Sequence, residues 1–176
     1  MITYIIAGLL LLVGIALIFA FYQPTEYLIS REVIIDKTAE SIYPYINNSK
    51  MMNTWAPWPE IDPQLEMKYS GPEFGVGATS SWDSPGKMGA GSAIVIESLT
   101  NQMVRTQLEY TRPFPMKQIA EISISPMGTQ SKVKWSVRGQ NLFVQRVVCL
   151  VMNMDKMVGG SFEVGLSKLK SIVESL

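Results

Sequence analysis

The sequence predicts an α+β domain: an antiparallel sheet with one wet face, a long amphipathic C-terminal helix, and one apolar helix ahead of both. Three observations carry this. No charged side chain occurs between Ile2 and Tyr22. From Leu65 to Arg138, short runs that alternate apolar and polar residues are punctuated by Gly and Pro. Beyond Met154 the apolar residues return at steps of three and four.

At helical rise the 2–22 run extends roughly 30 Å, about the thickness of a bilayer's hydrocarbon core. Tyr4 lies near one end and Phe19, Phe21 and Tyr22 near the other, where amphipathic rings favour the headgroups, and Pro24 then stops the helix. Residues 1–23 are therefore expected to form a transmembrane anchor and residues 24–176 a single domain on the membrane surface. A cleaved signal peptide is the main rival, and a buried core helix a second. A signal peptide wants a basic segment, a shorter apolar run and small residues at a cleavage site, whereas no Lys or Arg precedes Ile2 and no such site follows. Arg31 and Lys37 alone among nearby basic residues bear on orientation, and they favour a single-pass protein of the cell membrane with a cytoplasmic domain.

After Pro24, Tyr27 to Asp36 reads as a strand with Ile29, Val33 and Ile35 on one face and Arg31 between them. Thr38 to Ile46 changes period: Thr38 stands at the cap, and Ile42, Tyr45 and Ile46 form a helical stripe. A second short helix is expected over Ser49 to Thr54. Strands follow at Leu65–Ser70, Val76–Asp83 and Gly89–Leu99, separated by Gly71-Pro72 and Ser84-Pro85-Gly86. Met103–Thr111 places Val104, Thr106, Leu108 and Tyr110 opposite Arg105, Gln107 and Glu109. Lys117–Ser125 offers Ala120, Ile122 and Ile124, and after a turn Val133, Trp135 and Val137 alternate with Lys132, Lys134 and Arg138. One face of this sheet is solvated. The terminal helix carries Phe162, Leu166, Leu169, Val173 and Leu176 on its stripe, its earlier part from Leu142 to Met154 is apolar nearly all round, and Gly159 and Gly160 are expected to bend or thin it.

Lys and Arg together number 15, as do Asp and Glu, and the two signs are interspersed. No basic footprint exists for neutralising phosphates, so nucleic acid is not an expected partner. Histidine is absent, which removes Ser-His-Asp and Cys-His arrangements. No Cys pair or dense carboxylate loop marks a metal site, and no metal or cofactor is expected. The lone Cys149, among Val147, Val148, Leu150 and Val151, reads as a small inert hydrophobe. The glycines of 71–77 and 89–91 lack a P-loop or dinucleotide pattern and read as hairpin turns. Asn47-Asn48-Ser49 matches the glycosylation triplet, a pattern short enough to arise by chance.

Candidates for acid–base work are Tyr110, Arg112 and Asp155, alongside Glu97 and Glu109, although their spacing marks no pair and solvated strand faces or local ion pairs are the favoured account of each. The aromatic and methionine content is more suggestive. Trp55 and Trp58 flank Ala56-Pro57, Trp82 and Trp135 lie in strands, and Met152, Met154 and Met157 cluster in what is expected to be the buried part of the terminal helix. Flat rings and flexible thioethers suit a cavity that adapts to an apolar guest, and they suit a plain core as well.

The order of elements with REVIID (31–36), Tyr43, Trp55-Ala56-Pro57-Trp58 before Asp62-Pro63, Gly75-Val76-Gly77-Ala78 leading to Trp82, and Gly89-Ala90-Gly91 resembles a known family. Gly128-Thr129 before Val133-Lys134-Trp135, Asp155-Lys156-Met157, Gly160, Phe162-Glu163 and Gly165-Leu166 before Leu169-Lys170 continue the match. Together they resemble the START-like (SRPBCC) superfamily of polyketide cyclase and dehydrase type, from about Glu26 onward. The resemblance implies a helix-grip fold, a curved antiparallel sheet of about seven strands in the order β-α-α-β6-α wrapped on the terminal helix. It also implies an apolar cavity for a lipid or other hydrophobic small molecule, with Trp55, Trp58, Trp82, Tyr110, Val133, Trp135, Met154, Met157 and Gly160 as the expected ligand-binding residues. The family spans carriers, sensors, enzymes and chaperone activators, and the chemistry is not chosen by it. The reading is a membrane-anchored binding domain; a cyclase-like enzyme using Tyr110, Arg112 or Asp155 and a membrane-surface interaction module are the alternatives.

Overall fold

The computed structural model describes residues 2–141, 143, 146–147, 150 and 152–176. Cys149 and much of the 142–154 run lie outside the described residues. An apolar helix α1 (Ile2–Tyr22) leads into strand β1 (Glu26–Ile35), followed by short helices α2 (Ala39–Asn47), α3 (Ser49–Trp55) and α4 (Trp58–Ile61). Six strands come next, β2 (Glu66–Ser70), β3 (Thr79–Asp83), β4 (Ala90–Leu99), β5 (Met103–Arg112), β6 (Met116–Met127) and β7 (Gln130–Gln140), then the long helix α5 (Met154–Glu174). The sheet is antiparallel with strand order β1-β7-β6-β5-β4-β3-β2, and with α5 laid on its concave face the architecture is the helix-grip fold.

Three details depart from the sequence reading, the first being that β3 begins at Thr79 and not at Val76, which is exposed. A third short helix, α4, follows the Trp55-Ala56-Pro57 element, because Pro57 and Pro59 hold φ near helical values at a helix start while the backbone N–H of Asp62 closes the turn on Trp58 O at 3.0 Å. The terminal helix starts at Met154 rather than in the apolar run before it: Asn153 leaves helical geometry, and its side chain accepts from Lys156 N at 2.9 Å. Gly159 and Gly160 do not interrupt α5.

The strand registers align side chains into rows across the concave face. At the end of the sheet far from α1, Val133 pairs with Ile124, and Trp135 with Ile122, which in turn pairs with Val104. The next row is Ile29, Val137, Ala120, Thr106 and Val95. Toward α1 comes Tyr27, Gly139, Gln118, Leu108, Ala93 and Ser80, and last Met116, Tyr110, Gly91, Trp82 and Met67. The far rows make the core with Ile35, Ile42, Trp55, Phe162, Leu166, Leu169 and Val173, all buried. On the convex face, Arg105 pairs with Glu97 and Glu121.

Helix α1 spans a window of mean hydropathy 2.8 and is only 6% buried, so it is long and apolar enough to cross a membrane. Its end is tied to the domain: Arg146 Nη1 donates to Phe21 O at 3.1 Å, Asn141 Nδ2 to Pro24 O at 3.3 Å and Asn141 N to Thr25 O at 2.7 Å.

Candidate ligand-binding site

The two rows nearest α1 differ from the rest of the concave face because two aromatic rings lie down on the sheet instead of standing up from it. Tyr27 on β1 faces Gly139 on β7, and a Cβ at Gly139 would meet the Tyr27 Oη at 2.6 Å and Cζ at 2.9 Å. Trp82 on β3 faces Gly91 on β4, where a Cβ would meet the Trp82 Cζ2 at 2.5 Å. A strand glycine admits a neighbouring ring over the backbone, which is why these positions carry no side chain. The Trp82 indole is anchored by donating from Nε1 to Met88 O at 3.2 Å and meets Tyr110 edge to face, with centroids 5.2 Å apart. The rings of half-buried Tyr27 and buried Trp82, with half-buried Ala93, Leu108 and Gln118 and, one row further in, Ala120, form a floor at the α1 end of the sheet.

Polar groups converge on this floor. The Gln118 amide donates to the Tyr27 phenol and also reaches Met116 Sδ at 3.4 Å. Tyr110 keeps some solvent contact, yet the packing round its phenol pushes the pKa up to about 12, with the nearby Tyr27 phenol adding to the effect. Tyr110 is thus a neutral hydroxyl at any ordinary pH. Such a group offers a hydrogen bond to a ligand's oxygen and is a poor base.

The other expected ligand residues fall in two different places. Val133, Trp135 and Trp55 are buried in the packed centre, where Trp135 stacks on Phe162 at 4.3 Å and meets Trp55 at 5.2 Å and Trp58 at 5.7 Å edge to face. Trp55 Nε1 is spent on Tyr45 O at 3.0 Å. Met154 packs against the core at the start of α5, whereas Met152, ahead of the helix, and Met157, on its outer side, are exposed and not in a buried cluster. Met157 and Gly160 line an open groove of about 350 Å³ on the outer side of α5, against Pro57, Glu60 and Ile61 of the α4 region.

The expected acid–base residues are not brought together. Arg112 pairs with Asp83 at the exposed end of β5. Asp155 grips Arg31 at 2.9 Å, and the same guanidinium reaches Glu163 at 2.6 Å, so it holds the first turns of α5 to β1. It lies flat against the helix backbone, and a Cβ at Gly159 would overlap it. This partnership holds the Asp155 carboxyl below the usual carboxylate range. Buried Asp62 accepts from Ser84 Oγ at 2.8 Å and Met88 N at 2.9 Å, shaping the β3–β4 loop and thereby the carbonyl that anchors Trp82. Asn47, the acceptor of the glycosylation triplet, instead accepts from Ser98 Oγ at 2.6 Å, and Ser98 also bonds Tyr43 Oη at 2.6 Å. Among the described residues no three His, Cys, Asp or Glu gather as a metal site.

Tyr27, Leu108 and Gln118 were not singled out from the sequence as ligand contacts. The signal was present in the alternation: Tyr27 lies two before Ile29, and Gln118 two before Ala120.

No family model and no curated protein matches this chain. Solved structures do. Protein MLL2253 from Mesorhizobium loti is 11% identical with a TM-score of 0.63, over 85% of this chain and 98% of that one. Truncated norcoclaurine synthase from Thalictrum flavum is 16% identical with a TM-score of 0.60, over 86% and 96%. Norcoclaurine synthase from the same source in complex with dopamine and hydroxybenzaldehyde gives 15% and 0.58, over 89% and 90%. At these identities the likeness concerns the fold.

Proposed function

We propose that this chain is a membrane-anchored helix-grip domain, with residues 1–23 as the anchor and 24–176 as the domain, that binds a hydrophobic small molecule or lipid on the α1-end floor of its concave face. The observation that carries the reading is the pair of rings laid flat over Gly139 and Gly91, which lowers the aromatic surface of those rows onto the sheet. The floor is apolar in Trp82, Leu108, Ala93 and Ala120, and its polar atoms, from Tyr27, Tyr110 and Gln118, suit one oxygen-bearing group of an otherwise greasy ligand. Binding of dopamine and hydroxybenzaldehyde by a structural neighbour supports a ligand role for such a fold. In this reading Trp55, Val133 and Trp135 form the packed wall behind the site. Membrane anchoring rests on α1, and Arg31 and Lys37 favour the cytoplasmic side of the cell membrane for the domain.

Full-length protein extracted in detergent should carry an apolar molecule visible by native mass spectrometry. A fluorescent fatty-acid probe should bind it, and Ala93→Phe, which raises a ring from the floor, should weaken that binding about tenfold or more, or about 1.4 kcal/mol, at an unchanged melting temperature. Absence of both a co-purified molecule and probe binding would sink the proposal. The cyclase-like reading keeps one foothold, the neutral Tyr110 donor. A hundredfold loss of turnover in Tyr110→Phe with folding intact would move the assignment to an enzyme.

A further inference from the structure

The ligand floor lies at the same end of the sheet as the hairpin tip 112–115, since Tyr110 pairs with Met116 in the row nearest α1. That tip, Arg112-Pro113-Phe114-Pro115, holds out Phe114 with 67% of its surface exposed. Prolines on both sides of the ring restrict the backbone of the tip. Along the sheet, β1, β7, β6 and β5 are consecutive. At roughly 4.8 Å per strand, Phe114 stands only about 14 Å to the side of the β1 start.

Only Gln23, Pro24 and Thr25 separate α1 from β1, a reach of about 10 Å at full extension. Arg146 and Asn141 hold the domain to the last turn of the helix and the residues just beyond it. Any surface α1 enters therefore faces this end of the sheet. Leu28, Phe21 and Tyr22 are exposed apolar or amphipathic side chains in the same zone, and Arg112 and Lys117, paired with Asp83 and Glu109, flank the Phe114 tip. An exposed aromatic ring held out among charged and polar neighbours is a side chain that settles at the headgroup boundary.

We propose that the β5–β6 hairpin docks on the bilayer, with Phe114 inserted at the headgroup boundary beside α1, so that the domain stands on the membrane at two points and the ligand floor opens toward the lipid. This rests on the membrane-anchored reading above. Its partner is the lipid bilayer itself.

The full-length chain, with Cys149→Ser removing its only native thiol, would be reconstituted in phosphatidylcholine–phosphatidylglycerol nanodiscs. Single cysteines at Phe114→Cys, Met127→Cys and Leu11→Cys would carry an environment-sensitive dye. Met127 is exposed at the opposite end of the sheet, and Leu11 lies mid-helix in α1. The dye at 114 should shift to the blue and lose most of its emission to a lipid-borne quencher, at the roughly 5–10 Å depth of interfacial side chains, while the dye at 127 stays bright. Equal brightness at 114 and 127 with deep quenching at 11 would overturn the docking and leave the anchor intact. An unquenched dye at 11 would overturn both.

Discussion

Two halves of one concave face solve opposite problems with the same kinds of residue. Far from α1, Trp135 stands up from β7, stacks on Phe162 and is enclosed by Trp55 and Trp58, so that sheet and α5 meet through aromatic rings with only 2% of Trp135 exposed. Near α1, Tyr27 and Trp82 lie down on Gly139 and Gly91 and leave a half-buried floor. The aromatic residue is the same type in both halves. What differs is its cross-strand partner: Trp135 faces Arg31 and Ile122, side chains that leave no room for a flattened ring, whereas a glycine lets the ring down. Tight packing fixes the grip of the helix, and the flattened rings are found at the end of the sheet that meets α1.

The largest test of this contrast is Trp135→Ala against Leu108→Ala. The first should cost about 3–5 kcal/mol in denaturant unfolding, and the second, on the half-buried floor, less than about 2 kcal/mol. Equal losses would mean that the two halves are packed alike. The neighbouring glycines of α5 should answer with opposite signs. Gly159→Ala drives a methyl into the Arg31 guanidinium and should destabilise by about 1–3 kcal/mol. Gly160→Ala meets nothing within 4 Å and should stabilise by about 0.5–1 kcal/mol as helix propensity rises.

Acid should loosen the gripping half first. Hydrogen bonds from Arg31 hold Asp155, and the Asp36 N–H with Lys170 holds Glu174, below the usual carboxylate range. A carboxyl whose pKa is depressed by folding contributes stability above its unfolded value and loses it as pH falls through the folded one. The melting temperature should therefore be flat from about pH 7 to 5 and fall below about pH 4, and less steeply in Arg31→Leu. The smallest effect is reserved for Tyr110→Phe. Its stability should stay within about 0.5 kcal/mol of the parent, while a carboxylate-bearing probe binds less well and a pure hydrocarbon probe is unaffected.

Much of the frame was legible in the chain. Alternation in 103–111 put Val104, Thr106, Leu108 and Tyr110 on one face, and all four point to the concave side. The stripe Phe162, Leu166, Leu169 and Val173 marked the buried side of α5. The site was less legible, because a period-two pattern says which face a side chain takes and not what it meets there. That Tyr27 lies on Gly139 depends on a register set across the whole domain, and that Arg31 rests on Gly159 depends on where a helix crosses a strand. Arg112 and Asp155 looked available for chemistry, yet each is held by a partner distant in sequence, Asp83 and Arg31. The late start of α5 escaped notice since composition in 142–154 is apolar whether or not it is helical, and the Asn153 cap decides it.

The strand order also dictates when the domain can close during synthesis. β1 leaves the ribosome immediately after α1, but its sheet neighbour among the described residues is β7, the last of the seven strands in the chain. Glu26 must wait for Gln140, roughly 6–20 s at ribosomal elongation rates. Through that interval an unpaired strand bearing Leu28, Ile29, Val33, Ile34 and Ile35 trails from the apolar helix. Unsatisfied strand edges of this kind recruit other chains, so the interval before β7 emerges is the point at which nascent molecules are most exposed to aggregation, and slower elongation through residues 66–140 would lengthen it.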